Sequence, residues 1–120
     1  MNNKRQLLGK LGEDVATEFL IAQGFNIIAR NWRSHRVELD IVARDGQTIV
    51  FCEVKTRRSN NCGVPAEAIT QTKRDNLRTA ALHWLSANSG FKAHIRFDVI
   101  GITIDSSRCP TISHIKGIDV

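Results

Sequence analysis

The sequence has few cysteines and no long apolar run, and these absences exclude several classes of protein. Only three cysteines occur, Cys52, Cys62 and Cys109, an odd number without a Cys-x-x-Cys pair. Neither a disulfide framework nor a zinc knuckle is therefore indicated. No stretch is long and apolar enough to span a bilayer, so we expect no membrane partner.

The first twenty residues also lack the uncharged apolar block of a secretory signal peptide. Glu13, Asp14 and Glu18 fall where such a block would lie, and we therefore expect a cytoplasmic protein. Internal repeats and low-complexity linkers are absent as well. A chain of 120 residues is long enough to bury a core, and the sequence predicts one domain over residues 1–120.

The charge is unbalanced towards basic residues. Seventeen Lys and Arg residues against twelve Asp and Glu residues give a formal net charge of +5. Such an excess is typical of a protein that binds nucleic acid, although many basic proteins have no such partner. The basic residues form three groups in the sequence: Arg30, Arg33 and Arg36; Arg57 and Arg58; and Lys73, Arg74 and Arg78. The alternative is three solvated surfaces.

Hydrophobic periodicity and turn signals predict seven elements in the order α-β-β-β-α-β-β. A helix is predicted over residues 5–23, with Leu8, Leu11, Val15, Phe19 and Ala22 on its buried side. Strands are predicted over residues 25–32, 36–43, 48–56 and 94–104, with an edge strand over residues 111–118. A second helix is predicted from Pro65 to about Asn88. The order predicts an α/β architecture, a mixed sheet flanked by helices.

The pair Asp45-Gly46 between two strands is a strong hairpin signal. With these residues at the centre of the turn, residues opposite each other have numbers that sum to 91. Asp40 then lies opposite Phe51, Glu38 opposite Glu53, and Arg36 opposite Lys55. Because side chains alternate between faces, all six lie on one side of the sheet. Asp40 and Glu53 are diagonal neighbours, about 7–8 Å apart at the backbone.

Three acids in one patch repel one another unless a positive charge neutralises them. Mg²⁺ or Mn²⁺ is held by one or two carboxylates and several waters, so we predict a metal site at Asp40 and Glu53. A bound ion could activate water or stabilise charge on a phosphoryl oxygen, with Lys55 within reach. The alternative is a salt-bridge ladder on a wet sheet face. Phe51 on the charged face instead favours a covered strand, where burying acids without a counter-ion is costly.

Five sequence blocks in order resemble a known family. They are GEDVATEFLIAQGFNIIARNWR, VELDIVARD, VFCEVKTR, AITQTKRDNL and RFDVIGI. An Asp followed by Glu-x-Lys on the next strand is similar to the PD-(D/E)xK nuclease superfamily. The five blocks together, from about Leu8 to Ile104, resemble the YraN family of Holliday-junction-resolvase-like endonucleases. This resemblance implies a restriction-endonuclease-like core and Mg²⁺- or Mn²⁺-dependent hydrolysis of DNA, in branched or otherwise structured substrates.

The resemblance also implies roles for individual residues. Asp40 and Glu53 match the metal-binding carboxylates, and Lys55 matches the catalytic lysine. Glu13 matches the glutamate that completes the acidic cluster, and Glu38 matches an acid of the family's Gly-Glu-Ile-Asp segment. Helical periodicity alone predicts instead that Glu13 is solvated, because it lies about 200° round the helix from the apolar stripe.

Other residues are candidates for DNA contact or for structural pairing. Arg36, Arg57 and Lys73 are candidate phosphate contacts, with a solvated side chain as the alternative for Lys73. Asp98 follows Arg96 by two residues, and we expect the two to pair structurally. A resolvase acting on a two-fold junction needs a symmetric dimer, so a homodimer is also implied. Three functions stay open: a nuclease, a DNA-binding module that keeps the fold without cleaving, and a protein-interaction domain.

Overall fold

The computed structural model describes residues 4–58, 69–88, 94–104 and 109–120, apart from the side chain of Arg5. The elements are α1 (Lys4–Ala22), β1 (Asn26–Ser34), β2 (Val37–Asp45), β3 (Thr48–Arg57), α2 (Gln71–Ala87), β4 (His94–Thr103) and β5 (Thr111–Ile115). The predicted order α-β-β-β-α-β-β is confirmed. Within these ranges, no helix is long and apolar enough to cross a membrane.

The five strands form a mixed sheet in the order β1-β2-β3-β4-β5. β3 and β4 are parallel, with Phe51 opposite Phe97, and the other neighbouring strands pair antiparallel. Parallel neighbours need a crossover connection, and α2 lies between these two strands in the chain. The predicted edge strand is confirmed as β5, although it ends at Ile115.

Each helix covers one face of the sheet. On the α1 face, Ala16 and Leu20 pack with residues such as Cys52 of β3. On the α2 face, Phe51 of β3 packs with Trp84. The central strand β3 is therefore covered on both sides, as the aromatic residue on its charged face predicted.

α1 contacts the sheet through small residues as well as through large ones such as Leu20. Gly12 and Ala16 are buried, whereas Leu11 is 48% exposed. The predicted buried side is therefore wrong at Leu11, and also at Ala22, which is exposed. Glycine and alanine let the helix backbone come close to the strands, and this approach decides which side of α1 is buried.

Two glycines of α1 give a matched test of this close approach. A Cβ at Gly12 would lie 2.8 Å from both Cβ and Cγ2 of Thr56, whereas one at Gly9 would meet no atom within 4 Å. We expect Gly12→Ala to lower the free energy of unfolding by about 1–3 kcal/mol, since the helix must shift. Gly9→Ala should instead raise it by about 0.5–1 kcal/mol through helix propensity. Urea denaturation measures both, and equal effects of the two variants would contradict the close packing of α1.

α2 begins at Gln71, not near Pro65 as predicted. Thr70 is the N-cap, in extended backbone conformation, and its hydroxyl oxygen accepts a hydrogen bond of 3.1 Å from the Lys73 N–H. Such a cap satisfies a backbone donor that the first helical turn leaves unpaired. Pro65 lies outside the described residues, whereas Ile69 and Thr70 are described and are not helical.

The hairpin between β2 and β3 forms as predicted, but its register is shifted. Asp45 pairs with Thr48, so Gly46 and Gln47 are the central turn residues, and opposite residues have numbers that sum to 93. Gly46 has a φ of +63°, as the first central position of a type II′ turn requires. Asp45 is held in the strand by Arg96, whose NH1 lies 3.2 Å from Asp45 Oδ2. A shift of two residues does not by itself move a side chain to the other face, yet it changes which acids come together.

Candidate functional site

The site lies where β2 and β3 separate. Their pairing ends at Ile41 opposite Cys52. Beyond that pair, the Val54 N–H donates a hydrogen bond of 2.8 Å to Asp40 Oδ2. The same register, if extended, puts Asp40 level with Glu53. The predicted pairing of Glu38 with Glu53 is therefore wrong, and Asp40 is the acid that lies beside Glu53.

β2 is irregular at Asp40. Leu39 packs in the core on the α2 face, whereas Ile41 packs in the core on the α1 face. Residues two apart in a regular strand share a face, so β2 departs from regular alternation between these two residues. On the neighbouring strand, Asn31 has a φ of 51°, which is unusual for a residue other than glycine. The acid at position 40 therefore lies at a local break in the sheet.

A cavity of about 190 Å³ opens at this break. We call it the acid cavity. Its lining residues are Arg36, Val37, Glu38, Asp40, Glu53, Lys73, Asn76 and Leu77. The structure therefore brings Asp40 and Glu53 to one space, together with the secondary candidate Glu38 and the predicted phosphate contacts Arg36 and Lys73.

The two central acids, Asp40 and Glu53, differ in whether a positively charged side chain lies beside them. Burial, followed by the negative charge of Glu53, raises the pKa of Asp40 to about 7, and the hydrogen bond from Val54 only partly opposes this rise. Glu53 instead has a positive partner, because Lys73 Nζ lies 3.0 Å from Glu53 Oε2. The cavity thus holds excess negative charge beside Asp40, and this charge adds to burial in raising the pKa of Asp40.

Lys73 enters the cavity from α2, a contact that was not predicted. Burial disfavours its charged form, but the charge and hydrogen bond of Glu53 outweigh burial and raise the pKa of Lys73. The sequence contains one signal for this position. Lys73 precedes the buried Leu77 by four residues, so the two share the side of α2 that faces the sheet.

Lys55 does not line the acid cavity as the structure describes it. It lies two residues after Glu53 on β3, opposite Gly101 of β4, and is half-buried. Strand alternation gives it the same face as Glu53, as predicted. The ammonium that contacts Glu53 is that of Lys73, and a role for Lys55 stays a prediction.

Glu13 is half-buried, and the prediction of a solvated residue is wrong. Its side chain is 20% exposed, and its Oε1 lies 3.8 Å from NH2 of Arg30. Burial raises the pKa of Glu13, although a hydrogen bond with Asn31 and the charge of Arg30 oppose the rise. Glu13 does not line the acid cavity, but its charge contributes to the raised pKa of Asp40. The structure therefore places Glu13 close enough to Asp40 to influence its pKa, but outside the acid cavity.

The predicted phosphate contacts lie at different distances from the acids. Arg36 is exposed and lines both the acid cavity and a neighbouring cavity of about 240 Å³. The second cavity is lined by Arg33, His35, Arg36, Val37 and Glu38. Within it, Arg33 Nε donates to Glu38 Oε2 at 2.8 Å. Arg57 instead ends β3, where its carbonyl accepts a hydrogen bond from the Ile104 N–H, and it lines neither cavity.

The acids suit a hard divalent cation held by two carboxylates. No group of three or more His, Cys, Asp and Glu side chains that could hold a metal ion occurs in the described ranges. Mg²⁺ needs fewer protein ligands, because it keeps several waters and binds through one or two carboxylates. The raised pKa of Asp40 shows negative charge that a cation would stabilise. Asp40 and Glu53 therefore fit such an ion, and a contribution from Glu13 stays a prediction.

Comparison with known proteins assigns the family. A family model described as "Uncharacterised protein family UPF0102" matches residues 12–102. The chain belongs to this family. UPF0102 is the YraN family, so the resemblance seen in the five sequence blocks is confirmed.

Curated UPF0102 relatives match over most of their length. A UPF0102 protein of Nocardia farcinica is 47% identical over 114 residues, covering 95% of this chain and 90% of the relative. One of Mycolicibacterium smegmatis is 47% identical over 116 residues, covering 95% and 94%. One of Geobacter sulfurreducens is 46% identical over 114 residues, covering 95% and 89%. These names state a family and no activity.

A second buried aspartate of the UPF0102 chain is structural. Asp98 is fully buried and accepts hydrogen bonds from Arg96, at 2.9 and 3.0 Å, from His114 Nε2 at 2.8 Å and from the Gly117 N–H at 3.1 Å. Burial alone would raise the pKa of Asp98, but these hydrogen bonds and the charge of Arg96 hold it below its ordinary value. The predicted pairing of Asp98 with Arg96 is confirmed.

The raised pKa of Asp40 predicts a pH-dependent stability. A carboxyl with a raised pKa in the folded state binds its proton more tightly there than in the unfolded chain. Its contribution to stability is therefore present at low pH and is lost as pH rises through about 7. In a buffer with a chelator, we expect the free energy of unfolding to fall by about 2 kcal/mol between pH 5.5 and pH 8 because of this group.

Asp40→Asn separates this contribution from those of other titrating groups. Urea denaturation of both proteins at the two pH values measures the difference. We expect the variant to lose that part of the pH dependence and to be more stable than wild type at pH 8. The same pH dependence in both proteins would show that Asp40 ionises normally in the folded state.

Proposed function

We propose that this UPF0102 chain is a metal-dependent endonuclease that hydrolyses DNA phosphodiester bonds. The observation that carries the proposal is the pair Asp40 and Glu53 in one cavity, at the point where β2 and β3 separate. An acid with a raised pKa, placed in a cavity by a specific backbone hydrogen bond, is typical of functional sites.

In this proposal, Asp40 and Glu53 hold Mg²⁺ or Mn²⁺. When bound, such an ion lowers the pKa of water and stabilises charge on a phosphoryl oxygen. The Val54 N–H keeps the Asp40 carboxylate in position, so little reorganisation is needed for binding. Lys55, on the same face of β3 as Glu53, provides positive charge for the phosphate.

A polyanionic substrate is supported by the charges around the acid cavity. Arg36 lies at the boundary of the two cavities, and Arg33 and His35 extend the polar surface away from the acids. The chain as a whole has a net charge of +5. Phosphate contacts from basic residues supply most of the non-specific affinity of proteins for nucleic acid. The choice of DNA, a preference for branched structures and a homodimer follow from the family resemblance and are part of the proposal.

A non-cleaving DNA-binding module is the second candidate. It is favoured by the ion pair of Lys73 with Glu53, which neutralises one of the two acids without a metal. The raised pKa of Asp40 favours the nuclease, because a protein without metal chemistry gains nothing from an acid that destabilises it at neutral pH.

The experiment that separates these functions combines cleavage with binding. Purified protein is incubated with supercoiled plasmid, a synthetic four-way junction and a linear duplex, in Mn²⁺, Mg²⁺ or a chelator. The nuclease proposal expects nicks that require the metal. Binding to DNA in a gel-shift assay without nicks under any metal supports the binding module instead. If the protein shows no binding to DNA and no nicking, both candidate functions are contradicted. Sedimentation of the same sample tests the homodimer.

A further inference from the structure

The ion pair in the acid cavity joins a fixed carboxylate to an accessible ammonium. The Glu53 side chain is 11% exposed and belongs to the central strand of the sheet, whereas the Lys73 side chain is 47% exposed. Their atoms Oε2 and Nζ are 3.0 Å apart. Of these two partners, the lysine is therefore the one that can leave, because its flexible stem already reaches solvent.

The position of Lys73 is set by its backbone. Its N–H is bonded to the N-cap Thr70, and Leu77, one turn later, is buried in the core on the α2 face. These contacts hold the start of α2 beside β3 whether or not the ammonium is on Glu53. The lysine can therefore change partners without movement of the helix.

We propose that Lys73 is a built-in counter-ion of the acid cavity, whose ammonium has to leave Glu53 before a divalent cation can bind there. This inference rests on the proposed metal site and adds a control on its affinity. In the metal-free protein, Lys73 limits the repulsion between Glu53 and Asp40, which line the same cavity. Like charges beside a cation site lower its affinity, so the ammonium competes with the metal for the same oxygen. Once displaced, it stays at the cavity as a positive charge for an anionic ligand.

The test is a calorimetric titration of Mn²⁺ into wild type and Lys73→Met. We expect the variant to bind Mn²⁺ about 10-fold more tightly, because the competing charge is gone and the two acids are left uncompensated. Arg78→Met is the matched control. It removes one positive charge from the same helix, but Arg78 pairs with Asp75, at 2.9 Å, and does not line the acid cavity. Its affinity for Mn²⁺ should stay within twofold of wild type.

Lys73→Gln provides a second variant with a shorter polar side chain, in case the methionine perturbs folding. Equal affinities in wild type and both Lys73 variants would overturn the inference, and so would weaker binding in the variants. Tighter binding without any DNA cleavage would leave the inference standing and remove the proposed nuclease function. Cleavage by wild type with unchanged Mn²⁺ affinity in the Lys73 variants would overturn the inference and leave the proposed nuclease function standing. Absence of Mn²⁺ binding in all proteins would remove both.

Discussion

Asp40→Asn is expected to abolish metal-dependent nicking while making the metal-free protein more stable at pH 8. The carboxylate is one of the two proposed metal ligands in the acid cavity, and an amide has neither the charge nor the second acceptor oxygen that a hard cation needs. Loss of a group that acts together with others at a reaction centre commonly costs about 10³-fold or more in rate. Stability should change in the opposite direction, since the substitution removes the repulsion between Asp40 and Glu53.

The experiment compares nicking rates and urea denaturation for the same preparations. Asp75→Asn is the control, because Asp75 is exposed on α2 and its carboxylate pairs with Arg78 outside the acid cavity. The control should cleave at a rate close to that of wild type. An Asp40→Asn variant that keeps wild-type nicking would show that the activity does not depend on this site.

Asp98→Asn is expected to lower the free energy of unfolding by about 3–5 kcal/mol, the largest stability effect among these variants. The Asp98 carboxylate receives its hydrogen bonds from Arg96, His114 and the backbone of Gly117, all of them donors. An asparagine keeps one acceptor oxygen but turns an NH₂ group towards donors, and it removes the buried one of the two carboxylates that compensate Arg96. Removing one partner of a buried ion pair leaves the hydrogen-bond donors and the charge of the other partner without full compensation.

Urea denaturation at pH 7 measures this effect. Under conditions where the variant is folded, its affinity for Mn²⁺ should equal that of wild type, because Asp98 does not line the acid cavity. A loss of stability below about 1 kcal/mol would show that the network contributes little, as many exposed ion pairs do. The contrast with Asp40→Asn is the informative result, since the two substitutions are chemically identical.

The opposite expectations follow from the surroundings of the two aspartates. Asp98 has donors for both carboxylate oxygens, and its pKa is lowered. Asp40 has the Val54 N–H as a donor and an acid as its neighbour, and its pKa is raised. The surroundings of Asp40 disfavour its charged form, and a bound cation would stabilise that form. We therefore propose a cation as the ligand that accounts for an aspartate at this position.

The sequence by itself determined the order of the elements, the mixed sheet and the face that Glu53 and Lys55 share on β3. These features depend on local periodicity, because a two-residue repeat sets the faces of a strand and a change of register by two residues does not alter them. The pairing of Arg96 with Asp98 was also predictable, since the two residues are neighbours on one face of one strand.

Only the tertiary structure decided the hairpin register, the buried side of α1 and the partner of Glu53. Arg96 holds Asp45 in β2 from 51 residues away, and Lys73 reaches Glu53 from 20 residues away. Gly12 and Ala16 turn α1 so that Glu13 is half-buried, although small residues carry little hydrophobic signal. Each of these outcomes depends on contacts between residues far apart in the chain. Local periodicity does not predict such contacts, because it reflects only residues close together in the sequence.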